Sequence, residues 1–92
     1  MFVNALSDHA RLRMQQRGIP GKVLECLLEY GHVEYDHHGG MIVYFNKVAR
    51  SRLNRGSGRN SRLDKHLNTY AVIAQDGTVK TVGHRYKRIF RA

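Results

Sequence analysis

The hydrophobic period of this chain changes once, and the change falls at Gly31. Before it, Val23, Leu24, Leu27 and Leu28 recur at the i, i+1, i+4, i+5 spacing that puts one apolar stripe on a helix. After it, residues 32–36 alternate, with Val33 and Tyr35 on one side, and residues 41–46 form a run of β-formers. Neither element can bury its apolar side alone, so a helix must pack on a sheet. Pro20 suits the first turn of this helix and Gly31 ends it.

An earlier helix is expected over residues 7–16. Ser7 is placed as its N-cap, Asp8 sits in the first turn where negative charge suits the helix dipole, and Gly18 stops it. Ala10 and Met14 make an apolar pair one turn apart, while His9, Arg13 and Arg17 form a separate basic stripe at i, i+4, i+8. Further on, residues 67–75 and 78–85 read as strands joined at Asp76-Gly77, a strong hairpin signal, and residues 37–40 read as a turn. Residues 47–66 read as a basic loop region, with glycine and serine at its centre over 55–61. The expectation is one α+β domain over residues 1–92, with two N-terminal helices packed on one face of a four-stranded antiparallel sheet.

A two-residue turn at Asp76-Gly77 sets Gln75 opposite Thr78, Ile73 opposite Lys80, Ala71 opposite Val82 and Thr69 opposite His84. One face then carries Tyr70, Val72, Ala74, Val79 and Thr81 and reads as the core side. The other carries Thr69, Gln75, Thr78, Lys80 and His84, with Ala71, Ile73 and Val82 among them, and reads as a half-polar, basic surface.

Charge directs the functional reading. Sixteen Lys and Arg stand against seven Asp and Glu, a net +9, and most of the cations are arginine. Such a surface attracts polyanions, and the guanidinium fork suits phosphate and stacks on bases. Hydrophobic residues at 41% and charged residues at 25% are a globular balance. No apolar run is long enough to span a bilayer, no basic amphipathic helix of the membrane-surface kind is visible, and residues 1–6 lack signal-peptide character. Cys26 is the only cysteine, so no internal disulfide forms. A cytoplasmic protein without a membrane partner is expected.

Ser7-Asp8-His9-Ala10, then Arg13-Met14 and Arg17-Gly18-Ile19, resemble the opening of a bacterial family known as domain of unknown function 4258. Tyr30-Gly31 at the end of the second helix, and Asp76-Gly77, Val79 and Thr81-Val82 in the last hairpin, extend the resemblance over most of the chain. The order of elements also resembles the RelE-like, barnase-like and colicin-like ribonuclease toxins, in which a sheet face holds RNA. That likeness implies RNA as ligand and a small acidic antitoxin-like protein as partner.

Metal-free RNA cleavage needs a base for the 2′-hydroxyl, an acid for the leaving 5′ oxygen, and cations around the phosphorus centre. His9 and His84, each among cations, are the candidate proton-transfer pair, because imidazole titrates near neutrality. Arg13, Arg17 and Lys80 are candidate phosphate ligands. Arg85, Tyr86 and Arg88 near the C-terminus, and Arg59 and Arg62 in the basic region, are further candidate nucleic-acid contacts, with Tyr86 placed to stack on a base. Simpler roles stand beside these: His9 bonding its helix start, His84 as a solvated strand residue, and Arg13 and Arg17 pairing with Asp8, Glu25 or Glu29. A metal site from His32, His37 and His38 is disfavoured, because adjacent strand residues point to opposite faces; no metal or cofactor is expected. The competing readings are a non-catalytic RNA- or DNA-binding module and a protein-interaction domain whose basic face meets an acidic partner. A helix-turn-helix DNA reader fits less well, since the first helix carries the basic stripe.

Overall fold

Helix α1 (Asp8–Arg17) begins where Ser7 supplies a cap, in a computed structural model that describes residues 5–36, 39–57 and 66–85. The Ser7 Oγ accepts the Ala10 N–H at 3.0 Å, satisfying one of the amides that a helix start leaves without a partner. Gly18 ends the helix in the left-handed region at φ 63°. There the Ile19 N–H donates to the Met14 carbonyl at 2.8 Å, closing the last turn as a Schellman motif. Ile19 and Met14 both enter the core, the apolar contact that accompanies such a closure.

Helix α2 (Gly21–Tyr30) follows from Pro20 and buries Val23, Leu24, Cys26 and Leu27. Burial pushes the Cys26 thiol up, with Glu29 adding to the effect, so this side chain packs as a small apolar group. Residues 47–57, expected as loop, form a third helix, α3 (Lys47–Ser57). Asn46 Oδ1 accepts the Ala49 N–H at 2.8 Å, and Ala49 and Leu53, one turn apart, are buried in the core. An Asn cap followed by an i, i+4 apolar pair was the readable signal, and the flanking arginines, glycine and serine obscured it. The rest of the basic region, residues 58–65 with Arg59 and Arg62, lies outside the described residues, as do the turn residues His37 and His38 and the tail holding Tyr86 and Arg88.

The four expected strands are present as β2 (His32–Tyr35), β3 (Met41–Tyr44), β4 (Thr69–Ile73) and β5 (Thr78–His84), each antiparallel to the next. A fifth, β1 (Ala5–Leu6), runs parallel to β5, and the order is β1-β5-β4-β3-β2. The chain is therefore α+β as expected, but its sheet is five-stranded and mixed rather than four antiparallel strands. Two residues carry no readable period; β1 exists because the Ser7 N–H donates to the Val79 carbonyl at 3.0 Å and pins the chain against β5. The core joins Ala10 and Met14 of α1, Val23, Leu24 and Leu27 of α2, and Ala49 and Leu53 of α3 to Val43, Ala71, Ile73, Val79 and Val82. These strand residues share one side of the sheet, and the three helices cover that side.

The last hairpin departs from the expected turn. The Ala74 N–H donates to the Thr78 carbonyl at 2.8 Å and the Gly77 N–H to the Ala74 carbonyl at 2.9 Å. The loop is thus three residues, Gln75-Asp76-Gly77, with Gly77 at φ 91°, a geometry that needs glycine. The odd residue shifts Ile73 opposite Val79, and a β-bulge at Lys80 shifts the register back, so Ala71 faces Val82 and Thr69 faces His84. The bulge lets Val79 and Val82 share a face although three residues apart. The core side of β4 is therefore Thr69, Ala71 and Ile73, all fully buried, and Tyr70 and Val72 lie on the far side, the reverse of the expected assignment. At the turn, the Thr78 backbone N–H and then its hydroxyl hold the Asp76 carboxyl below its ordinary value. That contact adds stability above the unfolded-chain value and loses it as pH falls through the folded one.

Ser7 ties both features together. Its Oγ caps α1 and also donates to the carbonyl of the bulge residue Lys80 at 3.0 Å. Ser7→Ala removes both bonds and is expected to cost about 1–2 kcal/mol, read as a lower urea midpoint at unchanged slope. A midpoint equal to the parent's contradicts this role.

Candidate nucleic-acid interface

Among the described residues β1 pairs only with Thr78 and Val79, and α1 packs against β5. The interior-facing Ala10 and Met14 dock the helix, and Arg13 and Arg17, each one residue from the next buried position or cap, come to lie beside the end of β5. A cleft of about 100 Å³ opens there, lined by Arg13 and Arg17 on one wall and by Tyr70, Thr81, Gly83 and His84 on the other. At ~30 Å³ per water this is room for about three waters, the scale of a phosphate group rather than a nucleobase. Among the described residues no carboxylate lines it, and neither arginine forms an ion pair with Asp8, Glu25 or Glu29. Two guanidinium groups without acidic partners beside a histidine make an anion-binding wall.

His84 is held in place by its neighbours. Its ring stacks on His66 with centroids 5.8 Å apart at 23°, and Thr69 lies across from it. The His84 Nε2 is buried without a hydrogen-bond partner among the described residues. Gly83 matters through what it lacks: a Cβ there would meet the Tyr70 ring at 3.3 Å, so the glycine lets the tyrosine pack closely against β5.

The expected residues divide into three places. Arg13, Arg17 and His84 come together in the cleft. His9 is exposed and does not line it; it stands two turns before Arg17, about 12 Å along the helix at 1.5 Å per residue. Lys80, exposed on the bulge, lies at that same end of α1, where Ser7 bonds its carbonyl. Arg85 is turned to the sheet side away from the helices. Its guanidinium lies 4.8 Å over the centre of the Tyr44 ring, Nη2 donates to the Phe45 carbonyl at 3.1 Å, and its backbone N–H donates to Asn68. This is a cation–π clamp across β3 and β5.

Sequence reasoning missed a second cluster on that side. His32 and Glu34, two apart on β2, share a face, and Tyr44 lies directly opposite His32. His32 Nε2 and Glu34 Oε1 are 2.7 Å apart, and the Tyr44 hydroxyl donates to the same carboxylate oxygen at 3.4 Å. The His32 and Tyr44 rings meet edge to face at 5.4 Å. The signal was present in the alternation His32-Val33-Glu34, which puts both ionisable groups opposite the core residue. Register then makes one row of paired residues across the sheet, His32, Tyr44, Tyr70 and Gly83. With strands about 4.8 Å apart the row is about 14 Å long, and it runs from the His32–Glu34 pair to the cleft of Arg13 and Arg17. Among the described residues no three His, Cys, Asp or Glu side chains gather as metal ligands, and no helix is long and apolar enough to cross a membrane.

Compared with protein-family models, curated proteins and solved structures, the chain has no match.

Proposed function

We propose that this protein binds RNA along the α1–β5 cleft and the adjoining sheet face, and that it is a RelE/barnase-like, metal-independent endoribonuclease of toxin type. The observation that carries the reading is the convergence of Arg13, Arg17 and His84 on a phosphate-sized cleft that no carboxylate of the described residues lines. Residues at opposite ends of the chain build that wall, and the net charge of +9 extends its field. Tyr70, on the wall facing the two arginines, offers an aromatic face for a base next to the phosphate position. A small acidic protein fits the same surface as an inhibitory partner. The proposal includes kinship with the domain of unknown function 4258 family, whose helix motif supplies both arginines. One observation favours a second reading, a non-catalytic RNA-binding module: among the described residues His84 lines the cleft and His9 does not, whereas a proton-transfer pair needs both at one phosphate.

The test is a competition titration. Labelled structured RNA is expected to bind with strong salt dependence and to be displaced by unlabelled RNA far better than by polyglutamate of equal charge. Equal displacement by polyglutamate overturns the RNA reading in favour of an acidic-protein interface.

A further inference from the structure

We infer that His32 is the general base of RNA cleavage, with Glu34 as its positioning residue; the inference rests on the RNA reading above and adds a catalytic centre to it. The carboxylate oxygen Oε1 of Glu34 lies 2.7 Å from His32 Nε2. A carboxylate only accepts, so the shared proton sits on Nε2, and in the neutral ring Nδ1 carries the lone pair. The Tyr44 hydroxyl donates to that same oxygen at 3.4 Å, so Oε1 is oriented from two sides. Tyr44 is itself fixed, being 6% exposed beneath the Arg85 guanidinium. The dyad is reachable: the side chains of His32 and Glu34 are 30% and 26% exposed. A base with a locked tautomer, an orienting carboxylate and a fixed second donor is the arrangement that general-base chemistry requires.

The row of paired residues gives the substrate its direction. A strand with one phosphate held by Arg13 and Arg17 crosses Tyr70 and the Arg85–Tyr44 stack before reaching His32. There His32 Nδ1 takes the proton of a ribose 2′-hydroxyl. The 2′ oxygen forms a bond to the adjacent phosphorus, the bond from phosphorus to the 5′ oxygen breaks, and that oxygen leaves with the electron pair and takes a proton from water. His32 gives its proton to the resulting hydroxide. The products are a 2′,3′-cyclic phosphate and a 5′-hydroxyl, with no net proton consumed and no other reactant. Arg85 supplies positive charge near the phosphorus without moving a proton.

The experiment incubates the full chain and its His32→Ala, His32→Gln and Glu34→Gln variants with a 5′-labelled structured RNA in EDTA, and measures RNA affinity in parallel. Wild type is expected to release 2′,3′-cyclic phosphate ends and to leave a fully 2′-O-methylated copy intact. Both His32 variants are expected to cut about 10²-fold or more slowly, a far larger loss than any in RNA affinity, with added imidazole restoring part of the rate to His32→Ala. Glu34→Gln lowers kcat and leaves KM alone, since it acts through the orientation of His32. Cleavage by either folded His32 variant at the parental rate, or a slow His32→Ala that imidazole does not rescue, overturns the assignment and leaves RNA binding standing. Wild type that binds RNA and does not cut it overturns the assignment equally. Wild type that fails to bind RNA removes the proposed function itself.

Discussion

Reversing the charge of the cleft, Arg13→Glu with Arg17→Glu, is expected to weaken RNA binding by about two orders of magnitude or more at physiological salt. Each arginine offers a charge-assisted hydrogen bond to phosphate, about 1.5–3 kcal/mol apiece, so losing both amounts to at least ~10² in affinity, before any repulsion from the new carboxylates. The salt slope falls too, by roughly 1.4 for two lost phosphate contacts on a single strand. Folding is little affected, because Arg17 is exposed, Arg13 is half-buried, and neither is paired with an acid among the described residues. The largest structural cost is at Arg17, the basic residue of the last turn of α1, where a carboxylate opposes the helix dipole by about 0.3–1 kcal/mol. Fluorescence anisotropy across a salt series reads both quantities. The same reversal at Arg50 and Arg52, exposed on α3, alters only long-range attraction and so has a smaller effect. Equal losses from the two pairs contradict a localised cleft.

Gly31→Ala is expected to be the most destabilising glycine-to-alanine change among the described residues. A Cβ at Gly31 collides with the Leu27 carbonyl and lies 2.6 Å from Val43 Cγ1 and 3.1 Å from Leu27 Cδ1. The carbonyl belongs to the last turn of α2, where it accepts the Gly31 N–H at 2.8 Å, and Leu27 and Val43 are both fully buried. None of these groups can give way cheaply, since a close-packed interior transmits the strain. The cost is about 3 kcal/mol or more, a large share of the ~5–15 kcal/mol that stabilises a domain. Thermal unfolding then starts at least ~12 °C lower. Gly21→Ala is the control: its Cβ meets nothing within 4 Å and it opens α2, so it is expected to be neutral or to stabilise by about 0.4–1 kcal/mol. Equal melting temperatures for the two variants refute the packing described at Gly31.

The elements with local signals were legible in the sequence. Ser7, Gly18, Pro20 and Gly31 punctuate α1 and α2 because each supplies a cap or a terminus by its own chemistry. The apolar stripe of Val23, Leu24 and Leu27 was readable because burial imposes it. What failed depended on contacts distant in sequence. β1 exists through the bonds of Ser7 to Val79 and Lys80, and nothing in Ala5-Leu6 alone foretells them. The face assignment of β4 failed because the third loop residue and the bulge at Lys80 cancel in register but not in the placement of Val79. The site split the same way. The stripe of Arg13 and Arg17 was visible as a helical spacing, and its meeting with His84 followed from the helix packing on β5. The His32–Glu34 pair sits within one strand and was overlooked, because its partner Tyr44 is brought opposite only by the β2–β3 pairing.

The central claim, that RNA is held by the α1–β5 cleft and the row of residues leading from it, is tested most directly by mapping amide chemical shifts during titration with a short single-stranded RNA. The expected perturbations fall on Arg13, Arg17, Tyr70, Thr81, Gly83 and His84 and extend to His32 and Glu34, leaving Val48, Ser51 and Asn54 on the outer side of α3 unmoved. Perturbations centred on α3, or none at an RNA concentration that saturates binding by anisotropy, contradict it.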